Sequence, residues 1–240
     1  MSLKRVTLLK DKIVDFNTYP FSLPLIQRLD QLHLDHPVTF FVGENGSGKS
    51  TLLEGIAYQC GFHTAGGSRN NSYEVDQAES ALGDYLRLSW LPKLTNGFFL
   101  RAESFYQFAS HIDDVDSIKN YGGKSLHHQS HGESFLTLFT QKFTNAREKS
   151  IYLLDEPEAA LSPARQLSLM RIIKDLSPRS QFIIATHSPI LLGYPDAEII
   201  SFDQDRLEPI HYQDTDHYQI TRRFLENPKR MLDELFSDDD

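Results

Sequence analysis

The run Gly43-Glu44-Asn45-Gly46-Ser47-Gly48-Lys49-Ser50-Thr51 constrains this chain more than any other stretch. It satisfies the pattern G-x-x-x-x-G-K-[S/T] and follows the apolar residues Pro37-Val38-Thr39-Phe40-Phe41-Val42, so a strand, a glycine loop and a helix are expected in that order. Glycines let successive backbone N–H groups turn inward on a phosphate chain without Cβ clashes, and a helix beginning near Lys49 adds its positive N-terminal end. Lys49 is then expected on the β- and γ-phosphates. The Ser50 hydroxyl suits Mg²⁺ and that of Thr51 the α-phosphate, which predicts a magnesium nucleoside triphosphate rather than a dinucleotide.

The rest of such a site is expected downstream. Ile151-Tyr152-Leu153-Leu154-Asp155-Glu156 is a short apolar run ending in two carboxylates, as in a buried parallel strand that delivers acids to the C-terminal edge of a sheet. Asp155 would hold Mg²⁺ through its water shell. Glu156, on the opposite face, would accept a proton from the attacking water. Gln181-Phe182-Ile183-Ile184-Ala185-Thr186 is a second buried strand and ends at His187, within reach of a γ-phosphate. Glu103, at the end of a strand-like run over 97–102, either reaches a metal-bound water or is simply solvated.

A chain of 240 residues with 40% hydrophobic and 24% charged residues is long enough for one large domain with a true core. No apolar run approaches the roughly 18 residues of a membrane span, and the N-terminus lacks a secretory apolar stretch, so cytoplasmic residence without membrane insertion is expected. The single cysteine, Cys60, falls in the helix after the glycine loop and is expected as a buried thiol. The net charge of −9 is unevenly spread: residues 196–240 hold 13 of the 33 acidic but only 5 of the 24 basic side chains. A nearly neutral body with an acidic end neither demonstrates nor excludes a nucleic-acid surface.

The remaining segments set further expectations. Residues 6–9 and 12–16 read as short strands, and 85–91 with 97–102 as a hairpin across Pro92-Lys93-Leu94-Thr95-Asn96. Tyr19-Pro20-Phe21 presents aromatics that either stack on a base or pack. Leu25, Ile26, Leu29 and Leu32 look helical or turn-like. His127, His128 and His131 cluster in a glycine-containing stretch without nearby cysteines, more in keeping with a loop than a metal site. Phe135, Leu136, Leu138, Phe139 and Phe143 form a helical stripe with Ser130 or Ser134 as cap. Ser162-Pro163 should open a helix with Leu167, Met170, Ile173 and Leu176 inward. Residues 199–202 and 207–212 read as closing strands, and 218–225 and 231–236 as helices.

This order of motifs resembles the ATP-binding-cassette (ABC) ATPase superfamily: residues 43–51 as Walker A, 151–156 as Walker B with its glutamate, and His187 as the switch histidine. The resemblance implies an α/β P-loop fold with a mostly parallel central sheet flanked by helices, a smaller antiparallel N-terminal sheet and a much reduced helical subdomain. It implies ATP and Mg²⁺ as ligands. Gln129-Ser130-His131-Gly132-Glu133 is similar to the family signature, with His131 in place of a glycine, and implies that Ser130 and Gly132 bind the γ-phosphate held by a second subunit. Glu103 falls where the family has a glutamine, and Glu158-Ala159-Ala160-Leu161-Ser162 matches the D-loop except at Ser162. One domain over 1–236 is expected, with a short signature-bearing insertion at about 103–134 and an acidic tail at 237–240. That insertion seats neither a transporter's helical subdomain nor a long coiled coil, so the chain looks like a compact, stand-alone ATPase similar to the RecF-like group. The expected activity is ATP hydrolysis by an ATP-dependent homodimer, with DNA or a partner protein as further partners. A transporter ATPase subunit and a non-catalytic ATP-gated interaction module are the alternatives.

Overall fold

The computed structural model describes residues 2–62, 81–102, 149–203 and 207–237. Three segments are buried at every position: β3 (Val38–Val42), β6 (Ser150–Asp155) and β7 (Gln181–Ala185). Strands apolar on both faces need cover on both, and here they form the middle of a six-stranded sheet. Its order is β5-β6-β7-β3-β8-β9, with β5 spanning Asn96–Arg101, β8 Glu198–Ser201 and β9 Glu208–Pro209. All neighbours run parallel except β9, which pairs antiparallel with β8 at the edge. Parallel pairing brings the C-terminal ends of β3, β6 and β7 to one edge, and the functional side chains gather there.

Alternation along each strand divides the core into two layers. Phe40, Tyr152, Leu154, Phe182 and Ile184 face a layer completed by Leu169 and Ile173 of α3 (Pro163–Leu176). Phe41, Leu153 and Ile183 face the other, where Leu52, Leu53 and Ile56 of α2 (Lys49–Cys60) are fully buried. Each such side chain stabilises the fold by about 1.5–3 kcal/mol relative to exposure. The second layer is closed by an antiparallel sheet of order β2-β1-β4, with β1 at Leu3–Leu8, β2 at Gln31–His33 and β4 at Leu86–Trp90. Gln181 joins the two sheets: its amide accepts from the Leu3 N–H at 2.8 Å and donates to the Leu3 carbonyl at 2.9 Å. A short helix α1 (Pro24–Arg28) precedes β2, α4 (Pro189–Leu192) follows β7, and α5 (Asp216–Glu226) and α6 (Pro228–Phe236) end the described chain.

Four expectations need correction. Residues 85–91 and 97–102 are not a hairpin: β4 pairs with β1 in the small sheet, and β5 pairs parallel with β6 in the large one. The Phe98-Phe99-Leu100 run is buried on both faces, which suits a parallel strand better than one arm of a half-solvated hairpin. Residues 12–16 are not a strand. A 3₁₀ turn occupies Lys10–Lys12, Val14 is 97% exposed, and Asp15 accepts from the Asn17 N–H at 2.8 Å as a turn residue does.

In α3, Leu167 faces solvent at 58% exposure, and Gln166 takes the inward position with Leu169, Ile173 and Leu176. The Gln166 amide donates to the Leu161 carbonyl at 3.1 Å, so a satisfied polar side chain fills a place that periodicity assigned to an apolar one. Ser162 stands at the N-cap of α3, but its side chain makes no cap hydrogen bond; its carbonyl accepts from Gln166 at 2.9 Å. The helical stripe over 135–143 and the histidines at 127, 128 and 131 lie outside the described residues.

Candidate nucleotide site

The phosphate loop leaves β3 at Gly43 and enters α2 at Lys49, with Gly48 as N-cap at φ +97°. A side chain there would carry the cost of the left-handed region. Gly43 has φ +150° and no spare room: a Cβ would lie 3.0 Å from Asp203 Oδ1 and 3.1 Å from Phe202 Cβ. Asp203 holds this end of the loop, accepting from the Glu44 N–H at 2.9 Å. Lys49 is 4% exposed, and its ammonium donates across its own loop to the Gly43 carbonyl at 2.7 Å and the Glu44 carbonyl at 2.8 Å. Burial pulls its pKa below the usual lysine value, opposed by the charges of Glu156, Asp203, Asp155 and Glu44.

Ser50, one residue on, turns toward β6. Its hydroxyl donates to Asp155 Oδ1 at 2.9 Å, so the two expected metal ligands, 105 residues apart in sequence, already touch. Asp155 is buried at the end of β6, and Arg101, paired with it in register on β5, places Nε 3.5 Å from Oδ2 and a guanidinium nitrogen 2.6 Å from Glu54 Oε1. An alcohol and a carboxylate side by side are hard oxygen donors of the kind Mg²⁺ takes. Among the described residues no group of three or more His, Cys, Asp or Glu side chains is placed to hold a metal. Ser50 and Asp155 would together offer such an ion two oxygen ligands.

Glu156 adopts a left-handed backbone conformation (φ 48°, ψ 50°) while its N–H donates to the Ala185 carbonyl at 2.9 Å. That turn ends the strand and lifts the Glu156 carboxylate, 40% exposed, out of the sheet. His187, just beyond β7, places Nε2 3.6 Å from Glu156 Oε1. The pair is close enough for electrostatic contact but too long for a hydrogen bond, and His187 Nε2 is a buried atom without a hydrogen-bond partner. Burial, Lys49 and His217 hold the His187 pKa below its ordinary value, against Glu156 and Glu44. Its backbone N–H donates to Glu158 Oε1 at 2.5 Å, and its Nδ1 lies 2.9 Å from His217 Nε2. Burial raises the Glu158 carboxyl above the usual carboxylate range.

Lys49, Ser50, Asp155, Glu156 and His187 thus stand together at one sheet edge. Thr51, on the first turn of α2, has Oγ1 3.0 Å from the hydroxyl of the exposed Tyr19, whereas Phe21 is buried against Tyr85 with ring centroids 4.7 Å apart. Glu103, Ser130 and Gly132 lie outside the described residues. Sequence reasoning missed Asp203, Arg101, Glu158 in its contact with His187, and His217. Arg101 and Asp203 leave a trace in sequence, each as a charge at the end of an apolar run.

The parallel sheet, the glycine loop between β3 and α2, and the acidic end of β6 define a P-loop α/β fold. Comparisons agree. Residues 119–193, which include Asp155, Glu156 and His187, match a family described as "AAA domain, putative AbiEii toxin, Type IV TA system". Among solved structures, the SMC head domain from Thermotoga maritima aligns with a TM-score of 0.51 at 18% identity, covering 88% of this chain and 100% of that one. Stu0660 of Streptococcus thermophilus aligns at 0.50 and 11% identity, covering 84% of this chain and 78% of that one. No curated protein matches the chain in sequence. No helix among the described residues is long and apolar enough to cross a membrane.

Proposed function

We propose that this chain binds ATP with Mg²⁺ and hydrolyses it, and that two copies close head to tail around two nucleotides as a cytoplasmic conformational switch in DNA maintenance or defence. The carrying observation is the meeting of Lys49, Ser50, Asp155, Glu156 and His187 at one edge, with Ser50 and Asp155 already in contact at 2.9 Å. In this reading the loop amides of residues 43–51 cradle the phosphates, and Lys49 exchanges its two carbonyl acceptors for β- and γ-phosphate oxygens. Ser50 and Asp155 hold Mg²⁺, with Glu103 assigned to its water shell. The ion, when bound, supplies charge neutralisation between the phosphates. Glu156 accepts the proton of the attacking water, and His187 donates to a γ-phosphate oxygen. The second copy contributes Ser130 and Gly132. One ATPase domain over 1–236, with an insertion at about 103–134 and an acidic tail at 237–240, carries all of these parts.

The defence reading draws on the matched family description, which names a toxin of a type IV system; DNA maintenance is proposed by resemblance alone. The ATPase rate across a protein concentration series, with and without linear duplex DNA, tests the whole. Specific activity is expected to rise with concentration, and added DNA to raise it further. Glu156→Gln is expected to lower kcat by about 100-fold or more and to accumulate an ATP-bound dimer, read by light scattering. A variant that stays monomeric at saturating Mg-ATP would count against the composite site.

A further inference from the structure

His187 is held at three points: by Glu158 at its backbone N–H, by His217 at Nδ1, and opposite Glu156 at Nε2. Two imidazole nitrogens 2.9 Å apart share one hydrogen, so one ring donates and the other accepts. If a neutral His187 donated, its Nε2 would be bare and would turn a lone pair on the Glu156 carboxylate 3.6 Å away and on any phosphate beyond it. If His217 donates, the hydrogen of His187 sits on Nε2 and faces both anions favourably. A doubly protonated His187 would serve both contacts, but its burial and the nearby Lys49 charge oppose that form.

His217 lines a cavity of about 250 Å³ together with Asp203, Asp214 and Asp216. Its place is fixed by the start of α5: Thr215, buried, caps the helix by accepting from the Tyr218 N–H at 3.3 Å and donates to the Tyr212 carbonyl at 2.8 Å. The Tyr212 hydroxyl in turn donates to the Pro189 carbonyl at 2.9 Å, two residues after His187. The two histidine rings stand with centroids 5.0 Å apart at 50°.

We propose that His217 is a positioning residue whose Nε2–H donates to His187 Nδ1, fixing His187 as the neutral tautomer protonated on Nε2, ready to donate to a γ-phosphate oxygen. This rests on the reading of the site as an ATPase centre. A helix outside the sheet thereby sets the hydrogen-bonding sense of a side chain inside the site, and without it the His187 proton is free to move to Nδ1, leaving a lone pair where a donor is needed.

Nitrogen-15 imidazole spectra of the nucleotide-free protein read the tautomer directly, the His187 signal being assigned among the ten histidines by its loss in His187→Gln. The wild type is expected to show His187 protonated on Nε2, and His217→Phe a mixture of tautomers. His217→Phe should lower kcat by about 10- to 100-fold with KM for ATP within about twofold, while His217→Gln, whose amide can donate, recovers most of that loss. A wild-type His187 protonated on Nδ1, or His217→Phe with wild-type kcat, overturns the proposal. If His217→Phe fails to fold, the wild-type spectrum and His217→Gln still decide it. Wild-type protein without ATPase activity overturns the ATPase reading instead, and the spectra then decide the tautomer alone.

Discussion

The phosphate loop and the C-terminal helix pair are opposite solutions to holding a segment in place. Around the loop, Lys49, Ser50 and Asp155 are cross-bonded, and Lys49 and Asp155 are almost wholly buried. Along α5 and α6 no residue is buried, and Ile220, Leu225, Leu235 and Phe236 face solvent. The helices are kept by their ends and their surfaces: Thr215 caps α5, Asn227 caps α6 by accepting from the Arg230 N–H, and Arg222–Glu226 and Arg230–Glu234 pair one turn apart. Such exposed pairs are screened by solvent and contribute little to stability. Rigidity is concentrated where phosphates would bind. The helix pair, tied to the site through His217, has little burial of its own to resist displacement.

That contrast can be broken most decisively at Lys49. Lys49→Ala should cost about 100-fold or more in Mg-ATP affinity, measured by calorimetry, because the only cation bonded across the loop is removed among the described residues. Retained affinity would mean that the loop amides alone hold the phosphates. Asp203→Ala removes the acceptor of the Glu44 N–H and should destabilise the fold by about 1 kcal/mol, seen as a lower urea midpoint.

Glu158→Gln sharpens the electrostatic side. Burial raises the Glu158 pKa in the fold, so its contribution is fully present below the unfolded carboxyl value and is lost as pH rises through the folded one. Glutamine keeps the acceptor for the His187 N–H without the charge. The variant should therefore match the wild type in melting temperature near about pH 4 and exceed it near about pH 7; equal values at both would show that Glu158 ionises without penalty. At the weak end, Leu235→Ser with Phe236→Ser should shift stability by no more than about 0.5 kcal/mol by urea unfolding. A larger loss would show that the exposed face is packed in solution.

The same contrast explains what the sequence could disclose. The loop, Asp155, Glu156 and His187 are legible because each sits at the end of an unbroken apolar run, and strand direction alone carries all of them to one edge. Their partners are not. His217 meets His187 across 30 residues, Glu158 meets it across 29, and Asp203 meets Glu44 across 159, each through loop geometry that leaves no periodic trace. The hairpin misreading has a similar origin, since two neighbouring apolar runs look alike whether they pair with each other or part to different sheets. In α3, the buried Gln166 shifted the inward face by one position, because apolar spacing cannot register a polar side chain that finds its hydrogen bonds inside.

The position of β3 has a consequence for biosynthesis. The strand that delivers the phosphate loop is paired on one side with β7 and on the other with β8, and both are translated well over a hundred residues after it. While the ribosome is still extending the chain, β3 therefore presents two bare edges of an apolar strand, the form most prone to pairing with the wrong neighbour. Gln181, the residue that ties β1 to the large sheet, emerges at the same late stage. A nascent chain stopped before that residue carries the complete phosphate loop on a strand that still lacks both of its neighbours.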